Sequence, residues 1–467
     1  MEPKNLRFGG GAAETFLHPS VAVGMVIAIV LILTLPRKKA ITPFLLAFFT
    51  IPVGQVLVLA GVHLLMHQIL ILTVLARMAA FRGSAPEGRF AGGFNALDQV
   101  VVLWSVSALV IINLQWVDSQ MLIKSLGDFV EAFGGYLAAR FLIPDREALR
   151  RTIKVFAVIC VIQGACMVSE QFTHQNVFSF LGKWPPPIRD GHVRSEGTMG
   201  SLYGGVFAGV LIPLFLWLWT ERKSRMAACA GLAGATAMVW ASHASTSWMT
   251  YGAGLFGLGF WPLRKYMRIV RWGLVALLVG LHLVMKGPVW SLIARIDLTG
   301  GSSSYHRYAL VDNCIRHFGD WWLLGYKYYG SWGWDMWDLC NQFVVAAVTG
   351  GLVTFFLYIT IFKRSFGAIG MARKCADRRH EWLLWCLGAD LFANVVAHFG
   401  INYVLELMMS FFPLLACISV ATFEAKQVTV RSVEAPVEVE LPAPDAEGIY
   451  LPLIEARQGR WHQPFEA

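Results

Sequence analysis

Residues 201–220 read SLYGGVFAGVLIPLFLWLWT and contain no charged side chain. At 1.5 Å per residue such a stretch reaches about 30 Å as a helix, the thickness of a bilayer's hydrocarbon core. Gly200 with Gly204, and Gly205 with Gly209, are spaced so that membrane helices can pack closely, a structural pattern. Charged residues resume at its edges, RSEG (194–197) before it and ERK (221–223) after it. The same layout recurs along the chain. Apolar runs at 20–36, 41–60, 63–80, 98–115, 121–141, 153–169, 201–220, 226–243, 246–262, 269–286, 341–362, 382–399 and 402–421 predict about 13 helices. The expected fold class is all-α, a polytopic integral membrane bundle of about 12–14 transmembrane helices.

Composition agrees. Of 467 residues, 56% are hydrophobic and 15% charged, against about 25% charged in soluble domains. This excludes a soluble enzyme, a disordered chain and a disulfide-stapled secreted module. Lys and Arg total 39 against 30 for Asp and Glu, a net +9. The surplus sits in short clusters between apolar runs, around Arg37–Lys39, Arg77–Arg89, Arg146–Lys154, Arg222–Arg225, Arg264–Arg271 and Lys363–Arg379. Alternation of that kind follows the positive-inside rule and argues against a nucleic-acid partner. It places those clusters in the cytoplasm. A membrane domain is expected over 1–421, followed by a disordered, acidic, proline-containing cytoplasmic tail over 422–467. Two long external loops are expected, at about 170–200 and 287–340, and loops of that length usually carry function. The start of the chain lacks a signal-peptide layout and reads as leading into the first membrane helix. Among eight cysteines, only Cys314 and Cys340 share an external segment, where a disulfide is conceivable. No Cys/His spacing suggests a metal site.

The chemistry-bearing residues lie in those loops. Ser302 to Ser304 can cap a short amphipathic helix in which Tyr308, Val311, Ile315 and Phe318 recur at helical spacing, placed at the membrane surface. Arg307 then falls in its first turn, where the dipole already favours an anion. It suits a phosphate clamp, or alternatively a contact with lipid headgroups or a carboxylate. Trp321, Trp322, Tyr326, Tyr328, Tyr329, Trp332, Trp334 and Trp337 follow closely. They suit stacking on sugar C–H faces or interface anchoring equally. Asp335 and Asp338 end this stretch. One is a candidate general base, and Asp338 equally suits a helix N-cap. In the first loop, Arg194 and Glu196 can pair, or divide between an anionic and a hydroxyl-bearing ligand. Asp390, His398 and Glu406 are charged or polar groups within apolar runs and would be the coupling groups of a transporter.

Three pieces, in order, resemble the O-antigen ligase and Wzy-type polysaccharide polymerase superfamily over roughly 194–370. They are RSEGTMGSLYGGVFAGVLIPLF, the hydroxyl-rich SHASTSWMTYGAGLFGLGFWPLR, and HRYALVDNCIRHFGDWWLLGYKYYGSWGW followed by NQFVVAAVTGGLVTFFLYI. The resemblance implies a bacterial inner-membrane glycosyltransferase. Such an enzyme moves a glycan from an undecaprenyl-pyrophosphate carrier to an acceptor hydroxyl on the outer face, with no metal or cofactor and possible association with other polysaccharide-assembly proteins. It maps the family's pyrophosphate-binding arginines onto Arg194 and Arg307. It leaves Trp332, Trp334, Trp337 and Asn341 to hold glycan. Where the family has a histidine before asparagine, this chain has Cys340 before Asn341. Asp338, His306 and Glu196 are then the candidate catalytic groups. The expected activity is polymerisation of lipid-linked repeat units, with ligation to lipid A–core and lipid-linked-sugar transport as alternatives.

Overall fold

A computed structural model describes residues 15–59, 62–81, 88–295 and 304–434. The chain is mostly helical. It begins with α1 (Pro19–Thr34) and α2 (Arg37–Thr50), a hairpin of β1 (Val56–Leu59) and β2 (Val62–Leu65), then α3 (Met66–Ala80) and α4 (Ala96–Gln115). α5 (Ser119–Phe129) passes through a π-bulge at Val130–Gly134 into α6 (Gly135–Leu142), and α7 (Arg146–Thr173) follows. A second small hairpin, β3 (Ile188–Arg189) and β4 (His192–Val193), precedes α8 (Ser201–Val210), α9 (Ile212–Thr220), α10 (Arg225–Ala241), α11 (Ser245–Gly259) and α12 (Met267–Val284). The chain ends with α13 (Ser304–Arg316), the single turn α14 (Phe318–Trp321), α15 (Gln342–Ala372), α16 (Arg378–His398) and α17 (Leu405–Glu434). Most of each apolar run predicted from sequence coincides with helix, 41–60 and the start of 63–80 excepted. Six helical segments among the described residues are long and apolar enough to cross a membrane.

Side chains start the helices where orphan backbone N–H groups need partners. Asn95 accepts from Leu97 and Asp98 N–H and receives Asp98 in return, Asp145 accepts from Ala148, and Asp377 from His380. Inside, α7 and α10 pack backbone to backbone: a Cβ at Gly234 would lie 2.6 Å from the Cys160 carbonyl. Only glycine permits that approach. One ion pair is buried in the bundle. Arg140 bonds Asp98 at 2.7 and 3.0 Å, Tyr136 donates to the same carboxylate at 2.5 Å, and both charged residues are at most 1% exposed.

The basic clusters gather at one end of the bundle. Arg37 donates to the Phe141, Gly88 and Arg89 carbonyls, Arg151 to Lys38, and Arg77 to Leu35. Arg150 pairs with Glu221, Arg146 meets His380, and Arg264 and Arg373 share Glu381. The long loops lie at the opposite end. There His18 N–H donates to Gln55, whose amide reaches the Leu181 carbonyl.

Four expectations need correction. The helix predicted over 41–60 stops at Thr50, because Pro52 and Gly54 (φ 111°) break it and the β-branched Val56, Val58 and Val62 pair as a hairpin that Phe16 joins. α17 continues past 421 to Glu434, so 422–434 is helix and not disordered tail, and 435–467 lies outside the described residues. Cys314 and Cys340 are both free thiols. Finally, α15 is not one straight rod. Gly351 (φ 64°, ψ −174°) breaks it, and the rings of Phe343 and Phe362 come within 5.9 Å. Nineteen residues of straight helix would separate them by about 28 Å. α15 therefore folds back on itself. A short arm, 342–350, rises to a turn, and a longer arm, 352–372, runs back along α4 to the basic end, with Thr354 on Ser107 and Tyr358 on Trp104. The turn is held from outside: Leu352 N–H donates to the Trp322 carbonyl, Tyr326 N–H to Val348, and the Gln115 amide to Thr349. The start of the short arm, at Asn341, is thus set about 12 Å below the turn.

Candidate functional site

Beside this position His306, Arg307, Asp338 and Cys340 of the second long loop come together. α13 lies along the short arm of α15, burying Ser304, Arg307, Leu310 and Cys314 against Met336, Leu339, Val344, Ala347 and Val348. The predicted amphipathic helix exists. Its buried face is rotated by one residue, however, and Ile315 is 48% exposed. The helix packs on the fold-back of α15, a partner that periodicity alone does not reveal. Arg307, 8% exposed, donates to Thr246 Oγ1 at 2.9 Å, and Thr246 packs against Gly400. Arg307 therefore ties the interfacial helix to the start of α11 and the end of α16. Its charge also bears on Cys340.

Arg194 reaches the same place from the other long loop. The Arg194 guanidinium is held below its usual range by partial burial, then by the charge of Arg189 against the pull of Asp190, and last by the charge of Arg307, the smallest of these effects. Arg194 has no side-chain hydrogen bond or ion pair among the described residues, and the expected pair with Glu196 is not made. The segment behind it is rigidly built. Glu170 accepts from the Glu196 and Gly197 N–H groups at 2.6 and 3.0 Å. Gln163 bonds Thr198 and the Phe49 carbonyl, and Gln171 bonds Ser195. Glu196 is half-buried, and desolvation lifts its carboxyl above the ordinary range despite the attraction of Lys183. Beside Arg194, the imidazoles of His192 and His243 stack at 4.9 Å.

Across the recess, His306 Nε2 lies 2.9 Å from the Asp338 carbonyl oxygen. Asp338 is not the N-cap of α15. Asn341 is, accepting from Phe343 and Val344 N–H while its amide faces the Phe399 carbonyl at 3.5 Å. Asn341 is 1% exposed, so its polar atoms serve the fold. Burial pushes the Cys340 thiol up to about 11 against the opposing pull of Arg307. A thiol protonated at neutral pH is no general base. Of the three tryptophans, Trp332 is stacked between His317 and Tyr326 at 4.9 and 5.7 Å, whereas Trp334 and Trp337 are 91% and 72% exposed.

A groove of about 590 Å³ meets this cluster at Asn341. Its walls are Val311 and Phe318 beside α13, Phe343 and Ala347 on the short arm, and Phe355 and Phe362 on the long arm, with almost no polar surface. The concavity exists because α15 folds back. A larger cleft, about 740 Å³, lies at the basic end between Trp217, Trp261 and Trp382, remote from the arginine pair. Asp390, His398 and Glu406 are buried. Asp390 and His398 belong to a network in which Asn394 bonds Asp390 at 2.8 Å, Tyr403 bonds Asn394 at 2.9 Å, and Tyr358 meets His398 at 2.7 Å. The network ties α16 to Tyr403 and to Tyr358 on the long arm of α15.

Sequence reasoning did not single out Thr246 or Glu170. Thr246 stands in the hydroxyl-rich run SHASTSW, whose composition was the available signal. Glu170 closes an apolar helix and had none. No protein-family model matches the chain, and no curated protein matches it.

Proposed function

We propose that the chain is a membrane glycosyltransferase of the polysaccharide-polymerase type, joining lipid-pyrophosphate-linked repeat units on the outer face of a bacterial inner membrane. One observation carries the reading: Arg194 and Arg307, from two different loops, are near enough for their charges to act on one another, and Arg307 shares α13 with Val311 and Cys314 of an apolar groove. An anionic head next to a hydrocarbon tail is what such a place accommodates, and an undecaprenyl-pyrophosphate glycan has that form. The six apolar helices support membrane residence.

In the reaction, an acceptor hydroxyl oxygen bonds to the anomeric carbon as the bond from that carbon to the pyrophosphate oxygen breaks. The electron pair leaves with the lipid pyrophosphate, where the two guanidiniums stabilise the developing charge. The hydroxyl proton passes to Glu196, Asp338 or His306, the candidate bases. The exposed Trp334 and Trp337 offer stacking faces for glycan.

The test is Arg307→Ala in a strain deleted for the native gene, with surface glycan and lipid-linked intermediates separated by size. Loss of one such charge-stabilising donor costs about 100- to 1,000-fold in rate, so long chains should vanish while folded protein remains in the membrane fraction. Normal polymer from that variant refutes the assignment. Long chains accumulating on the carrier in the deletion strain would instead identify a ligase.

A further inference from the structure

Three side chains at the rim of the recess have a second chemistry. A ring nitrogen of His306, a carboxylate oxygen of Asp338 and the thiol of Cys340 lie within 4.8 Å of one another. His306 comes from the first turn of α13, while Asp338 and Cys340 lie on a tight turn closed by Cys340 N–H to the Asp338 carbonyl at 3.0 Å. That turn sets the carboxylate and the thiol two residues apart. The same carbonyl receives His306 Nε2. A backbone carbonyl that orients one imidazole nitrogen is the usual support of a histidine that binds metal through the other. Neither the Asp338 carboxylate nor the Cys340 thiol bonds another residue's side chain among the described residues. His306 and Cys340 are half-buried and Asp338 is exposed, which leaves an entry path from solvent.

We propose that His306, Asp338 and Cys340 form a binding site for a borderline divalent cation of the zinc class. The donor set is N, O and S, which suits zinc better than magnesium or calcium. Bonds of about 2.0–2.3 Å in a tetrahedral centre put donors roughly 3.3–3.8 Å apart. From within 4.8 Å, the three side chains need to close by about 1 Å to bind. Three protein ligands leave a fourth position for water; with the metal bound, Glu196 is the remaining candidate base. A metal deprotonates a coordinating thiol outright, so the high intrinsic affinity of Cys340 for its proton is no bar. Spacing could not find this site, since its ligands come from separate elements of one long loop.

The test needs no assay of glycosyl transfer. Purified protein in detergent, stripped with chelator, is titrated with Co²⁺ and then with Zn²⁺. A near-ultraviolet thiolate-to-cobalt band should appear at about one equivalent, with visible bands of tetrahedral intensity, and Zn²⁺ should displace it. The band should be absent in Cys340→Ser and unchanged in Cys314→Ser, and His306→Gln should weaken binding about tenfold or more. In the wild-type chain, Zn²⁺ should protect Cys340 from alkylation while leaving the exposed Cys375 reactive, read by peptide mass spectrometry. Absence of a thiolate band in the wild type, its survival in Cys340→Ser, or equal alkylation of Cys340 with and without Zn²⁺ overturns the proposal.

Discussion

Replacing Gly351 with alanine should straighten or unseat the fold-back of α15, and the structure sets the size of the effect. Gly351 has φ 64° and ψ −174°, a region essentially reserved for glycine, and an L-residue there costs about 1–3 kcal/mol. A Cβ at this position would also lie 2.5 Å from the Leu323 carbonyl oxygen and 2.9 Å from its carbon, both backbone atoms of the segment that holds the turn. The clash cannot be relieved by a rotamer change, so either the turn or the 322–326 segment must move. We expect a total of about 3 kcal/mol or more. The assay is a cysteine pair, Phe343→Cys with Phe362→Cys, on a background lacking the exposed Cys229 and Cys375. The two rings are 5.9 Å apart, so a short bifunctional reagent should link the pair efficiently. A continuous helix would hold the sites about 28 Å apart, beyond its reach. Adding Gly351→Ala should reduce the cross-link strongly and lower thermal stability in detergent. If the pair fails to cross-link in the otherwise native chain, the fold-back is wrong, and with it the origin of the groove. If Gly351→Ala cross-links as well as its parent and is equally stable, the strain argument fails.

The remaining predictions are narrower. Arg140→Met strands the buried Asp98 carboxylate and should cost about 3–5 kcal/mol, whereas Arg140→Met with Asp98→Leu should recover much of it, measured by thermal unfolding in detergent. The His243 imidazole is held below its usual 6.5 by burial, then by His192 and Arg194. Its neutral form is the native one, so its contribution is complete above about pH 6.5 and is lost as pH falls below the unfolded value, where only the unfolded chain takes up the proton. The stability difference between wild type and His243→Asn should shift in that window and diminish when phosphate occupies the arginine pair; a flat difference would refute the coupling. Trp332→Ala should destabilise the loop because it removes a ring stacked on two others, while Trp334→Ala should leave stability within about 0.5 kcal/mol and act only on glycan retention.

Much of this protein was legible in the chain alone. Runs such as 201–220 dictate helices because a backbone among apolar side chains must satisfy its own hydrogen bonds. Alternating basic clusters sort the loops to two ends of the bundle, and the structure gathers Arg37, Arg77, Arg146, Arg264 and Arg373 at one of them. Arg307 was legible too, because serine caps and apolar periodicity announce a short helix with that residue in its first turn. What the chain alone could not settle depends on contacts distant in sequence. Asn341 reads as a glycan contact, and the N-cap falls to Asp338, until their neighbours are placed and Asn341 proves to be the cap. The approach of Arg194 to Arg307 joins segments more than 100 residues apart. The break at Gly351 is masked by an apolar run that looks continuous, since hydropathy reports what a segment is immersed in and not its path. Two glycines in the run 350–351 permit a turn; only the carbonyls of Trp322 and Leu323, packed against it from another loop, make the chain take one.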